Sequence, residues 1–356
     1  MRVVIVGATG NAGTALLRRL QAEPDVELAG VARRLPEPVG VYRDVDWHAM
    51  DVASPERLAE VFRGAGAVVN LAWQIQPSHD PRRLFRTNVL GAREVVRAAV
   101  AAKVGTLVQA SSVGVYSPGP KDALVTEDYP RRGVLPSSYS RHKALVERML
   151  DEVETEHPTL RVVRIRPGLI FQREAGVEIA RYFAGPLLPA RLLRSGRIPV
   201  VPAHRRLRLQ AVHADDVAEA YARILRSDAG GAFNLAAGPV LDGPLAGRVF
   251  HGVPLKVPAA ALAGAAALSW WGRLQPVDPG WIHLALAAPL MSTGRAEREL
   301  GWRPRHDAVA ALTELVAGIA DRAGRASSPP LSDDPRLPGR PGGLAHGRLP
   351  GTGDPY

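Results

Sequence analysis

The sequence predicts an α/β protein built on a doubly wound parallel sheet, followed by a smaller mixed α/β region. Three observations predict it. The chain of 356 residues is 46% hydrophobic and 22% charged, which is the composition of a globular protein long enough to bury a substantial core. Apolar runs of strand length alternate with stretches of helical periodicity through the first half of the chain. The first of those runs, Val3 to Val6, enters a glycine-rich turn that opens directly onto a helix.

That turn reads Gly7-Ala8-Thr9-Gly10-Asn11-Ala12-Gly13. Glycine lets the backbone turn tightly and lets a pyrophosphate approach closely. The helix that follows, with Leu16, Leu17 and Leu20 on one face, offers unpaired N–H groups and a positive dipole end to that phosphate. The spacing is G-x-x-G-x-x-G and not G-x-G-x-x-G, so its place between strand and helix carries the dinucleotide reading. Val26 to Ala32 is the second strand, and it ends at Arg33-Arg34. An acidic residue about 20 positions past the turn suits the ribose hydroxyls of NAD, whereas arginine suits a 2′-phosphate and so favours NADP.

Val45 to His48 predicts a third strand, followed by Asp51 and a helix from Ser54 to Arg63, with Ser54 as its N-cap and Pro55 at its first position. Ala67 to Ala72 is nearly all apolar, as befits a strand buried on both faces. A helix over 82–102, a strand at Thr106–Ala110 running into Ser111-Ser112, a helix over Tyr139–Glu154 and a strand at Arg161–Ile165 complete a Rossmann-type unit over residues 1–172. Ligands in such sheets meet the carboxyl ends of the strands. From residue 173 to 324 proline and glycine break the pattern, and we expect a smaller substrate-binding region interleaved with the sheet. Helices are expected at Asp215–Arg226, Ala259–Trp271 and Ala308–Ala320. The apolar run Val257–Trp271 reads as a buried helix, with Trp270, Trp271 and Trp281 in the core. Residues 325–356 are rich in proline, glycine and arginine and predict disorder.

Tyr139 and Lys143 are four residues apart at the start of a helix and share one face. A phenol with a pKa near 10 is a poor base at neutral pH, and an adjacent ammonium, helped by an oxidised nicotinamide, favours the phenolate. Tyr139 then serves as general acid/base and Lys143 as its partner, which also holds the nicotinamide ribose. Ser112 ends a strand, where its hydroxyl is placed to polarise the same substrate oxygen.

These residues occur in a larger set: Gly7-x-x-Gly10-x-x-Gly13, Asn70-Leu71-Ala72, Asn88-Val89-x-Gly91, Ser111-Ser112-x-x-Val115-Tyr116, Tyr139-x-x-x-Lys143, Arg166-Pro167-Gly168 and Val212-His213-x-Asp215-Asp216. In this order they resemble the extended short-chain dehydrogenase/reductase superfamily, in its NAD-dependent epimerase/dehydratase group. The late stretch Ala296-x-x-Glu299-Leu300-Gly301-Trp302-x-Pro304 is similar too, so the resemblance covers roughly residues 1–320. It implies Ser112, Tyr139 and Lys143 as the catalytic trio. It implies a cofactor site made of Gly7, Thr9, Gly10, Asn11, Ala12, Gly13, Arg33, Arg34, Asp51, Val52, Leu71, Ala72, Asn88, Ser111, Tyr139, Lys143, Pro167, Leu169 and Ile170. His213 and Asp216 fall in a motif we take as structural. Two departures stand out. Trp73 is bulkier than the small residue usual after Asn-Leu-Ala. Arg208, the arginine nearest the Val-His motif, is one place further upstream than sugar-nucleotide members have theirs. Arg191, Arg194, Arg197, Arg205, Arg206 and Arg208 form a cluster that suits either a substrate anion or a solvated face.

Composition narrows the function. Absence of cysteine excludes disulfides, thiolate catalysis and cysteine-ligated zinc, and no metal site is expected. The net charge of +10 comes from arginine spread along the chain, with no basic tract interleaved with aromatics, so no nucleic-acid partner is expected. No run is long enough to span a bilayer, and no signal peptide precedes the first strand, so we expect a cytoplasmic protein with no membrane partner. A small-molecule substrate is expected, and a homodimer is consistent with the sequence. The leading expectation is an oxidoreductase that uses NADP or NAD on an alcohol, ketone or aldehyde. A nucleotide-sugar epimerase or dehydratase with the same site, or a non-catalytic dinucleotide sensor, are the alternatives.

Overall fold

The computed structural model describes residues 1–53, 57–184, 193–337 and 341–353. Its strands are β1 (Arg2–Val6), β2 (Glu27–Ala32), β3 (Asp46–Ala49), β4 (Ala67–Asn70), β5 (Thr106–Ala110), β6 (Leu124–Val125), β7 (Arg161–Pro167), β8 (Leu169–Phe171), β9 (Val200–Ala203), β10 (Arg208–His213), β11 (Gly231–Leu235), β12 (Ala237–Asp242), β13 (Val253–Lys256) and β14 (Leu290–Met291). Seven of them form the main sheet in the order β11-β7-β5-β4-β1-β2-β3, with every neighbouring pair parallel. The fold is therefore a Rossmann-like α/β sheet. Chain order runs outward in both directions from β1, so the crevice at the carboxyl ends of β1 and β4 is the topological switch point.

The centre of the sheet is buried on both faces because β1 and β4 are almost wholly apolar. Val3, Ile5 and Val69 pack with Leu16, Leu17, Tyr221 and Trp302 on one side. Val4, Val68 and Leu107 pack with Phe62, Val95, Val96 and Leu150 on the other. The helix Asn11–Leu20 lies against the helix Ala214–Leu225, so a segment from the second half of the chain completes the first layer. β11 joins the main sheet in the same way, as an edge strand beside β7. It falls inside the expected substrate region and carries no long apolar run of its own, which is why the sequence pattern missed it. Three small sheets remain: β12-β10-β8, β13-β9 and β14-β6.

Most predicted elements stand within a few residues of their places, including helices Ser138–Glu156, Ala259–Trp271 and Ala308–Ala320. The expected helix 82–102 is divided: Pro81–Phe85, capped by Asp80, leads through a wide turn at Arg86–Leu90 into Gly91–Ala101. The helix expected from Ser54 begins at Leu58, and the Ser54–Pro55 cap lies outside the described residues.

Two expectations need correction. The apolar helix Ala259–Trp271 contains no buried residue, and Trp271 is 74% exposed. Apolarity signals a need for cover, and among the described residues only one side of the helix receives it. Trp270 stacks on His79 with ring centroids 4.1 Å apart and donates to Ser78 Oγ at 2.8 Å. The stretch expected to be disordered also makes buried contacts. Ser328 Oγ donates to Thr9 O at 2.7 Å, and Leu331 and Leu337 are buried. Composition correctly reported few large apolar side chains there, but a hydroxyl on a loop carbonyl and two leucines fix the segment. Among the described residues no helix is long and apolar enough to cross a membrane, and no cluster of acidic and histidine side chains could hold a metal ion.

Candidate active site

A cleft of about 880 Å³, its open mouth included, lies at the switch point. Its wall contains Gly7, Thr9, Gly10, Arg33, Arg34, Asp51, Val52, Leu71 and Ala72 from the predicted set. Each comes from the carboxyl end of β1, β2, β3 or β4, which is where parallel strands deliver side chains and backbone N–H groups. Gly7 has φ +82°, and a Cβ there would stand 2.8 Å from Ala72 N. A Cβ at Gly13 would meet the Ala8 carbonyl carbon at 2.6 Å, so glycine is what lets the helix close on the turn. At Gly10, by contrast, a Cβ would meet only Gly7 O, at 3.7 Å. That side of the loop faces the cleft, ahead of the first turn of the helix Asn11–Leu20, and fits a dinucleotide pyrophosphate.

The remaining predicted residues surround the cleft. Asn11 Nδ2 donates to Ile170 O at 3.2 Å and Asn11 Oδ1 accepts from Gln172, tying the glycine turn to β8. Asn88 grips the Gln74 backbone twice, accepting from its N–H at 2.7 Å and donating to its carbonyl at 2.8 Å. It therefore shapes the loop after β4 and does not itself line the cleft. Pro167 and Leu169 also lie outside the cleft wall, at the end of β7 and the start of β8. Ser111 is turned away: its hydroxyl donates to Glu147 Oε1. Glu147 and Arg166 are 1% and 2% exposed, and the guanidinium grips both carboxylate oxygens at 2.8 and 2.6 Å. That pairing holds the Glu147 carboxyl below its usual pKa against the cost of burial.

Sequence reasoning missed several wall residues, among them Met50, Gln74, Gln76, Thr87, Glu178, Tyr182 and Pro330. The Gln74 amide, oriented so that its nitrogen donates to Thr87 Oγ1 at 3.1 Å, accepts from Arg33 Nη1 and Nη2 at 2.9 and 3.1 Å. Arg33 is thus held over the cleft at the end of β2. Pro330 arrives from the carboxyl-terminal stretch, and its carbonyl accepts from Arg181 at 3.0 Å. No spacing rule relates a residue this distant to the glycine turn.

Ser112, Tyr139 and Lys143 converge beside the cleft. Ser137 caps the helix Ser138–Glu156, so Tyr139 and Lys143 sit in its first two turns on one face. The Ser112 hydroxyl and the Tyr139 ring both lie against Gly114, and Ser112 Oγ accepts from Gly114 N–H at 3.0 Å. Gly114 makes this approach feasible, since a Cβ there would lie 3.0 Å from the Tyr139 ring and 3.4 Å from Ser112 Oγ. Lys143 is buried, donates to Ala110 O at 2.9 Å, and holds Nζ 3.5 Å from the centre of the Trp73 ring. Trp73 also packs edge-on to Tyr139, with centroids 5.7 Å apart, and lines the cleft. Its indole is the wall between cleft and ammonium. On the far side Trp281 lies 4.7 Å from the Tyr139 ring, and Phe183 lies 5.0 Å from Trp281.

This enclosure reverses the expected titration. Burial pushes the Tyr139 phenol up to about 12, with the neighbouring Ser112 hydroxyl working against the rise. Burial brings the Lys143 ammonium down to about 7, opposed by the Glu147 carboxylate one turn along the helix. Desolvation outweighs the mutual effect of phenol and ammonium, so the expected lowering of the phenol does not occur in this enclosed arrangement. Of the arginine cluster, Arg191 lies outside the described residues. Arg206 donates to Leu286 O and Gly119 O, and Arg208 donates to Lys121 O.

A model of the NAD dependent epimerase/dehydratase family matches residues 3–236. An uncharacterized protein of Mycobacterium tuberculosis is 24% identical over 326 residues, covering 89% of this chain and 83% of that protein. The 2-alkyl-3-oxoalkanoate reductase of Shewanella oneidensis is 27% identical over 177 residues, covering 47% of this chain and 44% of the reductase. Among solved structures, the UDP-glucose 4-epimerase of Thermus thermophilus in complex with NAD superposes with a TM-score of 0.67 at 24% identity, covering 91% of this chain and 100% of that one. The dTDP-glucose 4,6-dehydratase of Streptomyces venezuelae gives 0.68 at 20% identity, covering 93% and 100%. Both likenesses concern the fold.

Proposed function

Because the chain belongs to the NAD dependent epimerase/dehydratase family, we propose that it is an NAD(P)-dependent oxidoreductase that interconverts an alcohol and a carbonyl compound. The observation that carries this reading is the convergence of Ser112 and Tyr139 around Gly114 beside the cleft, with Lys143 one turn along the same helix. A bound nicotinamide dinucleotide supplies the hydride donor or acceptor. The chain supplies everything else. The Gly7–Gly13 turn receives the pyrophosphate, Asp51 and Val52 flank the adenine, and Arg33 with Arg34 favour a 2′-phosphate, hence NADP.

Ser112 donates a hydrogen bond to the substrate oxygen and Tyr139 exchanges a proton with it. A phenol whose pKa stands at about 12 keeps its proton throughout the neutral range. That suits donation to an oxygen gaining negative charge, so carbonyl reduction is the direction we assign. The reductase among the partial relatives accords with it. Lys143 steadies the phenol and meets the ribose once Trp73 has moved aside. Within the arginine cluster Arg206 and Arg208 are engaged by backbone carbonyls, which weighs against a nucleotide-sugar reading.

The test is purified protein with NADPH or NADH and a panel of ketones and aldehydes, followed by cofactor absorbance. Oxidation that requires a carbonyl compound, prefers NADPH and disappears in Tyr139→Phe is expected. A rate unaffected by that substitution would remove Tyr139 from the mechanism.

A further inference from the structure

The helix Ala259–Trp271 has no charged residue and, among the described residues, no cover on its outer side. Leu268 and Trp271 are each 74% exposed, and Leu274 just beyond is 56% exposed. The strand leading into it repeats the pattern. In the β9/β13 pair Val253 stands opposite Val200, and Val253, Val200 and Leu255 are 68%, 53% and 55% exposed. On the opposite face of the same pair Pro254 and Ala203 pack on Gly247 and Gly243 of the helix Gly243–Val249, and Ala203 is buried. An apolar helix side and an apolar sheet face thus follow one another along the chain, and among the described residues neither is covered. A monomeric soluble protein rarely leaves such area uncovered without a partner.

The flanking charge says which partner. The sequence has no Asp or Glu between Glu178 and Asp215, and none between Asp242 and Asp278. Those two stretches hold β9, β13 and the bare helix, and they carry the exposed cations Arg197, Arg205, Arg248 and Lys256. A second copy docked through this face would set basic flank against basic flank. An anionic surface offers the complement, and a lipid bilayer adds an apolar layer beneath it. At 13 residues the helix is about 20 Å long, short of the ~30 Å hydrocarbon core, so it would lie along the interface and not cross it. Trp271, at the end of the helix, is of the type that settles at headgroup depth.

We propose that this face seats the protein on anionic lipid membranes, with Leu268, Trp271 and Leu255 entering the headgroup region and the carboxylate-free flank meeting the lipid charge. The expectation of no membrane partner rested on spanning length, which does not bear on a helix lying in the interface. The proposal does not depend on the catalytic reading.

The experiment is co-sedimentation of the full chain with vesicles of phosphatidylcholine alone, or of phosphatidylcholine and phosphatidylglycerol in a three-to-one mixture, at low and high salt. Wild-type protein should bind the phosphatidylglycerol vesicles about tenfold more tightly than the neutral ones, and lose that advantage as salt rises. The double variant Leu268→Glu/Trp271→Glu should bind about tenfold more weakly, because it places carboxylates in the contact. Both positions are exposed, so circular dichroism and melting temperature should not change. Failure of the wild type to sediment with anionic vesicles overturns the proposal and requires no variant. Binding that the double variant retains in full overturns it too, since charge alone would then account for the effect. So does a dimer in sedimentation velocity that the double variant converts to monomer, because a second copy would then be the cover.

Discussion

Replacing Lys143 with methionine should change how stability depends on pH. In the folded chain this amine is buried, and its pKa is brought down from 10.5 to about 7. In the unfolded chain it keeps its proton to the ordinary lysine value. Between those two values the unfolded state binds one more proton than the folded state, and stability rises with pH. The penalty for burying the ammonium is complete below about pH 7 and fades as pH approaches the unfolded value. Each pH unit in the window is worth about 1 kcal/mol, so on the order of 3 kcal/mol accumulates between roughly pH 7 and pH 9.5. Methionine has a similar length and does not titrate. The assay is urea unfolding of wild type and Lys143→Met at half-unit steps across that range. Wild type should gain on the variant by about 1 kcal/mol per unit, and comparing the two proteins cancels every other titrating group. Parallel profiles would refute the argument, since Lys143 would then keep its proton when folded and the enclosure by Trp73 and Ala110 would be too wet to matter.

Three further outcomes follow from the same geometry. Glu147→Gln leaves the buried Arg166 guanidinium without its counter-charge and should cost about 3–5 kcal/mol in urea unfolding; a loss near zero would mean that water reaches the pair. Arg33→Ser should weaken NADPH about tenfold while sparing NADH, by fluorescence titration of each; equal losses would show that Arg33 does not meet the 2′-phosphate. Removing the chain from Ser327 onward takes Ser328 off Thr9 and Pro330 out of the cleft wall, and should speed cofactor dissociation in stopped-flow displacement; an unchanged rate would make the segment a bystander.

What could be read in the sequence, and what could not, divides along physical lines. The central strands were legible because a strand buried on both faces needs a nearly continuous apolar run, and Val3–Val6 and Ala67–Ala72 have one. β11 has glycine, asparagine and only five residues, so it is a strand by virtue of its neighbour β7 and not of its own pattern. Tyr139 and Lys143 were legible as a pair because helical spacing alone puts them on one face. Their titration was not, because it depends on Trp73 and Trp281 closing over them from distant segments. The same limit explains Pro330 and Ser328. A proline-rich stretch looks unable to order itself, yet a single hydroxyl on a loop carbonyl and a buried leucine supply what composition does not count. The helix Ala259–Trp271 fails in the opposite sense: its apolarity was plain, but the sequence could not say whether the cover comes from this chain.

Hydride transfer itself can be followed by isotope. NADPH carrying deuterium at the reactive ring carbon, incubated with the protein and a carbonyl substrate from the panel, should yield a released alcohol with deuterium on its carbinol carbon. Tyr139→Phe should abolish that product while still binding the cofactor. A substrate altered at one centre with no deuterium in any released product and no net oxidation of the cofactor would contradict the assignment.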